Sequence, residues 1–435
     1  MRATASDLSE PARVHPLRHG QRIVPPTLAV PDGAAALTFK AIRLQGPVVR
    51  DAIAGSTSLS IATVNRQVTA LLSAGLVRER PDLSAPGAIG RPRVPVEANH
   101  DAFFTVGVHI GARTTSIVAT DLLGRALNTV ECPTPSQTTQ AAGVRGSGSA
   151  QLAALAERLT RYVQRWRRRR LLWVGVTTGG IVDGIAGTVD HERLGWSAAP
   201  LGPVISRALH LPVSVASHVD AMAAAELLLG RNSSAGADAT TLYVYARETV
   251  GYALVIRGRV HTPVSGPGTI SGLPSHSSLI GGSGRLEATV SDEAVLSAAC
   301  THQILPSAGA DPTMAALLDA ARAGNPRACE LLAERARLLG ESVALLRDLL
   351  NPDDVVVGGQ AFTSYPEGMA DFTAAFRCRS SLPPRRVRMT SFGDQVQQAG
   401  AGIVALSSLY ADPIGALRRS RPPAARPDTS RSATA

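Results

Sequence analysis

The residues with the most legible chemistry lie in GPVVRDAIAGSTSLSIATVNRQVTALLSAGLVRER, residues 46–80. Ser60 stands where a helix N-cap belongs, ahead of a run reaching about Ala74. Ile61, Val64, Val68, Leu71 and Leu72 recur at the 3.6-residue period of one buried face. Ala62, Arg66, Thr69 and Ser73 fall opposite, flanked by Thr63 and Asn65. Short side chains let a helix enter a DNA major groove, where Thr, Asn and Arg can hydrogen-bond to base edges. Gly75 is a helix stop.

This helix needs neighbours to hold it. A shorter helix is expected from about Val48 to Ser56, with a tight turn before Ser60. After Gly75, LVRER and RPRVPVEA read as two strands of a wing joined by PDLSAPGAIG, and Arg91 and Arg93 are placed to reach phosphates or a minor groove. The unit predicted is a winged helix-turn-helix over residues 34–99. Its candidate DNA contacts are Ser60, Ala62, Thr63, Asn65, Arg66, Thr69, Arg91 and Arg93. The plainer alternative is a three-helix bundle with a solvated polar face.

Charge distribution agrees with a nucleic-acid partner. Of the net +10, residues 1–98 carry +5 and residues 413–435 carry +4, leaving about +1 for everything between. Lys40 is the single lysine, so an Arg-rich base composition is a competing source of the excess. Cys132, Cys300, Cys329 and Cys378 form no paired motif, and no apolar run approaches the roughly 18 residues of a membrane helix. The expectation is a cytoplasmic protein with no membrane partner.

Residues 1–33 are rich in Pro and Arg without periodicity and read as a disordered basic arm; residues 411–435 read as a disordered tail. Between them, FFTVGVHI, LLWVGVTTG, TLYVYA and DDVVVGG alternate with Ala/Leu-rich helical stretches, an α/β pattern. GVHIGARTTSIVATDLLG, residues 107–124, reads as strand, glycine turn and strand. RYVQRWRRRR, residues 161–170, is expected to be the solvated end of a helix, with a nucleic-acid patch as the alternative.

Taken together, residues 34–410 resemble the ROK family of repressors, open reading frames and kinases. The resemblance rests on LSIATVNRQVTALLSAGLV, on the Gly90–Pro92 GRP, on TTGGIVD at 177–183 and on LGW at 194–196. LPVSVASHVDAMAAAE at 211–226 and NPDDVVVGGQAF at 351–362 also match in position. It implies an α/β fold: a winged helix-turn-helix followed by a two-lobed, actin-like sugar-kinase domain over residues 100–410.

Several positions depart from the family's kinases. Their first hairpin resembles Asp-x-Gly-Gly-Thr-Lys, where this chain has His109, Ile110, Gly111, Ala112, Arg113 and Thr114. Their glycine-dense second phosphate segment is here RETVGYA, with Gly251 surviving. Side chains stand where bare backbone approaches phosphates, which argues against ATP. Ser217 and His218 occupy the positions of the catalytic Asn-Asp pair, with Asp220 two residues on; histidine can act as a base. Over GLPSHSSLIGGSGRLEA, Leu273 replaces a zinc-ligand His, while Ser278, Ile280 and Arg285 replace three Cys; His276 alone cannot hold zinc. Ile270 replaces a sugar-binding Glu, and Glu287 remains.

The resemblance thus implies a transcriptional regulator, a repressor, that is no enzyme and needs no metal or cofactor. Its partners would be operator DNA, a further copy of itself and a small effector, a sugar or derivative, met by Ser217, His218, Asp220 and Glu287. His191 and Glu192 are expected to be surface loop residues. An active sugar kinase with a regulatory head is the alternative, and would phosphorylate a hexose in an ATP-coupled assay. A third reading makes the α/β domain a dimerisation scaffold without an effector.

Overall fold

The computed structural model describes residues 22–84, 93–134, 148–230, 238–263, 266–306, 312–383 and 385–421. The head is built from α1 (Ala34–Gln45), α2 (Arg50–Thr57), α3 (Ile61–Ser73) and the antiparallel pair β1 (Val77–Glu79) and β2 (Val96–Ala98). Phe39, Ile42, Ile53, Val64, Val68, Leu71 and Val96 close its core. Gly75 has φ of +73°, a conformation that suits glycine and ends α3. Ile61 leaves the expected apolar face: it is 45% exposed, because as the first residue of α3 it has no preceding turn to pack on.

Lobe I follows. It holds β3 (Phe103–Ile110), β4 (Thr114–Thr120), β5 (Ala126–Pro133), α4 (Ser149–Val163), β6 (Arg170–Thr178), β7 (Ile181–Asp183), β8 (Thr188–His191), β9 (Trp196–Ala199), α5 (Leu201–Leu209) and β10 (Val213–Ser217). Its main sheet runs β10-β6-β3-β4-β5, with β3, β6 and β10 parallel; β7, β8 and β9 form a small separate sheet. Helix α6 (His218–Leu229) leads out of β10 towards lobe II.

Lobe II comprises β11 (Thr240–Ala246), β12 (Val250–Ile256), β13 (Arg259–Val260), β14 (Gly268–Thr269), α7 (Glu287–Val290), α8 (Asp292–Thr301), α9 (Met314–Arg322), α10 (Pro326–Leu350), β15 (Asp354–Gly358), α11 (Gln360–Thr363), α12 (Met369–Arg379) and β16 (Val387–Met389). Its sheet runs β13-β12-β11-β15-β16, with β14 beside β12. Helix α13 (Val396–Ala411) then returns to lobe I and packs across β3 and β6. Gly107 and Gly175 permit that crossing, since a Cβ on either would run into the backbone of Ala401 or Ala405. Helix α14 (Pro413–Arg419) continues to the head, where it packs on α1 and α3. The four strand-forming runs read from the sequence are β3, β6, β11 and β15.

Both terminal expectations need correction in part. Residues 22–33 run along the body with backbone pairing, Ile23 beside Val213 and Ala29 beside Arg259. Residues 413–419 are helical, Asp412 caps them through the Gly415 N–H at 2.9 Å, and Ala416 and Leu417 are buried. Residues 1–21 and 422–435 lie outside the described residues. The arginine run is not simply a solvated helix end: α4 stops at Val163, Arg169 Nη1 donates to His100 O at 2.6 Å, and Arg170 opens β6. Among the described residues no single helix is long and apolar enough to cross a membrane.

Candidate functional site

Two surfaces gather the residues singled out from the sequence. The first is α3. Ser60 Oγ accepts from the Thr63 N–H at 3.2 Å and donates to Thr63 Oγ1 at 3.0 Å, so both hydroxyls are used in capping. Ala62, Asn65, Arg66 and Thr69 are exposed, and Thr63 is half-buried. Arg66 has no ion-pair partner among the described residues. Exposed Ile61 adds an apolar side chain at the N-terminal end of α3. Its position directly after the cap was the signal available for it.

The wing is less free than its sequence suggests. Glu97 Oε1 accepts from Arg78 Nε at 2.7 Å and its Oε2 from Arg80 Nη1 at 2.9 Å, while Arg80 also pairs with Asp82. Arg93 is 78% exposed on its side chain and sits 3.4 Å from Asp51 of α2. Arg91 lies outside the described residues.

The second surface is the cleft between the lobes, a cavity of about 480 Å³. Lobe I brings His109 at the end of β3, the Gly111–Ala112 turn, Gly179, Gly180 and Ile181, and His191 from β8; α6 brings His218. Lobe II brings Tyr245, Glu248, Gly251, Thr269 and Glu287. His109 Nδ1 and Thr177 Oγ1 share a hydrogen bond of 3.1 Å. The His218 ring lies 5.1 Å from Tyr245 and 5.9 Å from His109, centroid to centroid.

Electrostatics leave the three imidazoles of this cavity uncharged at neutral pH. Burial holds His109 well below the usual imidazole range, with His218 and Arg247 adding to the effect. Burial lowers His218 to about 4 and lowers His191 as well. His191 corrects the sequence reading: it is buried, lines the cavity, and its Nδ1 has no hydrogen-bond partner. Glu192 does lie at the exposed rim.

Of the four effector candidates, His218 and Glu287 face the cavity and the other two do not line it. Ser217 is buried with its Oγ unpartnered. Asp220 is buried within α6, burial pushes its carboxyl up to about 7, and its Oδ1 is unpartnered. Glu287 is held by Arg193 at 3.3 Å and by the Val250 N–H at 3.3 Å.

The two turns that hold phosphates in a kinase are differently furnished here. Ala112 and Arg113 fill the first. At the second, Arg247 donates to Gln397 Oε1 of α13 at 3.1 Å and lies near Glu248 and Asp292. Ile270 is a core residue of lobe II and Leu273 packs against that core, so neither offers a polar atom to a ligand. Among the described residues no group of three His, Cys, Asp or Glu is placed to hold a metal ion. A larger groove of about 860 Å³ between α10 and α12 carries the Glu334–Arg337–Glu341 ion pairs and none of the candidate DNA-binding or effector residues.

Comparison with known proteins follows the same division. The model of the ROK family matches residues 105–407. "Transcriptional regulator Rv0485" of Mycobacterium tuberculosis H37Rv is 64% identical over 425 residues, covering 96% of this chain and 95% of that one. "DNA-binding transcriptional dual regulator NagC" of Escherichia coli K12 is 23% identical over 340 residues, 75% of this chain and 80% of that one. Among solved structures, a ROK family transcriptional regulator, a homologue of the E. coli MLC protein, superposes with a TM-score of 0.69 at 22% identity, covering 89% of this chain and 97% of that one. A Streptomyces griseus ROK glucokinase in complex with glucose and AMPPNP superposes at 0.57 and 20% identity, but covers 69% of this chain and 99% of its own. Because the Mycobacterium tuberculosis regulator matches this chain almost end to end, head included, the chain belongs to the ROK family, in its transcriptional-regulator branch.

Proposed function

We propose that this protein is a cytoplasmic, homodimeric transcriptional repressor whose head, residues 34–99, reads a two-fold operator through α3. The observation that carries the reading is the exposed Ala62–Asn65–Arg66–Thr69 face on a helix capped by Ser60. Small and hydrogen-bonding side chains on one exposed helix are what a major groove requires. Names of relatives support it, among them NagC and the "Xylose repressor" of Caldicellulosiruptor bescii.

The body, residues 100–410, supplies dimerisation and effector sensing. His218 and Glu287 are the contacts we assign to a small effector, with Ser217 and Asp220 behind them. Three buried, uncharged imidazoles and Tyr245 suit an uncharged molecule such as a sugar derivative better than a phosphorylated one. No catalysis is assigned to the cleft: side chains of Ala112, Arg113 and Arg247 stand at the two phosphate turns.

Arg66→Ala tests the reading. It should weaken operator binding by about 1–3 kcal/mol while leaving binding to unrelated DNA nearly unchanged, measured by titration at fixed salt. Equal loss on both DNAs would make Arg66 a phosphate contact and remove the assignment.

A further inference from the structure

Residues 22–30 carry two anchors, one on each lobe. At the lobe I end, the Val24 N–H donates to Val213 O at 3.0 Å, and the Val213 N–H donates to Arg22 O at 2.9 Å. Ser214 Oγ donates to Val24 O at 2.6 Å, and the Arg22 N–H to Ser206 Oγ at 3.0 Å. Arg22 Nη1 also donates to the carbonyls of Arg419, the last residue of α14, and of Arg421 just beyond it, at 2.8 and 2.5 Å. At the lobe II end two backbone bonds hold: Val260 N–H to Leu28 O at 2.9 Å and Val30 N–H to Gly258 O at 2.7 Å.

Between the anchors lie Pro25, Pro26 and Thr27. Proline fixes φ, so such a spacer has little slack; three residues span at most about 10 Å. Each anchor is joined to a cavity wall along one strand, about four or five residues away. Strand β10 runs directly into Ser217 and His218, while β13 pairs with β12, which carries Val250 and Gly251. On the other side, Pro31, Asp32 and Gly33 alone separate the strap from α1 of the head.

We propose that residues 22–30 are a strap coupling the width of the inter-lobe cleft to the position of the DNA-binding head. The proposal rests on the regulator reading above and supplies its mechanical link. A short, stiff spacer cannot follow lobe separation of more than about 1–2 Å without breaking an anchor. The lobe II anchor gives first, since it has two backbone bonds against the more numerous bonds of the lobe I end. Its release frees Leu28–Gly33 and with them the entry to α1. The anchored strap is the operator-binding arrangement, and a cleft held wide is the released one.

Ala29 and Arg259 face each other between the two lobe II bonds, a non-hydrogen-bonded antiparallel pair whose Cα spacing suits a disulfide. The test uses full-length Ala29→Cys/Arg259→Cys with exposed Cys378→Ser, oxidised and reduced, alongside Val30→Pro, which deletes one anchoring N–H. Amide hydrogen exchange is read at two places outside the altered bonds: α1, and the β7–β8 hairpin, whose turn at Gly184 and Gly187 lies against Pro26 and Ile23 of the strap. Oxidation should slow exchange there about tenfold, reversibly on reduction, and Val30→Pro should raise it by about the same factor. Val30→Pro should also weaken operator binding about tenfold without changing affinity for unrelated DNA. Exchange changes confined to residues 22–33 and 258–260 would overturn the strap. That result needs no DNA, whereas failure of the unmodified protein to select an operator would overturn the regulator reading instead. Should Val30→Pro not fold, the oxidised and reduced forms of the cysteine pair decide alone.

Discussion

At the scale of residues, the cleft is defined by where histidines have been placed. His191 and His218 meet at Gly179, where a Cβ would come within 3.3 Å of His191 Nε2 and 3.5 Å of His218 Cε1, and His109 lies 5.9 Å from His218, ring to ring. All three are buried neutral, and His218 at about 4 lies below its ordinary value of 6.5. The unfolded chain therefore takes up protons that the fold refuses. Stability from these groups is present above about pH 6.5 and is lost as pH falls towards 4, by about 2 kcal/mol at pH 5 for His218 alone. Asp220 acts oppositely, its raised carboxyl favouring the fold at low pH and losing that contribution as pH rises through about 7. Three imidazoles outweigh one carboxyl, so melting temperature should fall between pH 6.5 and 4.5, and His218→Gln should flatten that fall. An unchanged slope in His218→Gln would show that the acid sensitivity lies elsewhere. The departures at Ser217 and His218 were readable as letters, but the meeting of His191 with them was not. It depends on β8 folding back on β7, which itself packs against β10, an arrangement that no local spacing encodes.

Among the elements, regular ones were legible and improvised ones were not. Helix α3, with its cap, period and glycine stop, follows from local rules, as do the buried β-branched strands. The strap and α14 escaped because a Pro-rich segment without periodicity looks the same whether it is free or paired to a distant sheet edge. The α6 end shows how non-local bonds hold the lobes together. Glu226, buried in α6, accepts from Arg388 of β16 and from Thr390 Oγ1, the Ser391 N–H and Ser391 Oγ at 2.8–3.0 Å for the last three. Removing one partner of such a buried pair leaves Arg388 uncompensated but for Asp354 at 3.0 Å. Glu226→Ala should cost about 3–5 kcal/mol in urea unfolding; a loss below about 1 kcal/mol would mean that water replaces the carboxylate.

For the whole molecule, sequence reading reached the architecture because the motifs of the head and of both lobes occur in family order along the chain. What stays proposed is the use of that architecture: a head that reads DNA, two copies that match a two-fold site, and a cleft that reports an effector. The first of these is the foundation of the other two. The most direct test is selection of genomic DNA fragments on the purified full-length protein at near-physiological salt, which suppresses non-specific binding. A regulator of this kind should enrich a two-fold sequence with half-sites about one helical turn, or a multiple of it, apart. Uniform, salt-sensitive retention of all fragments with none enriched would contradict it.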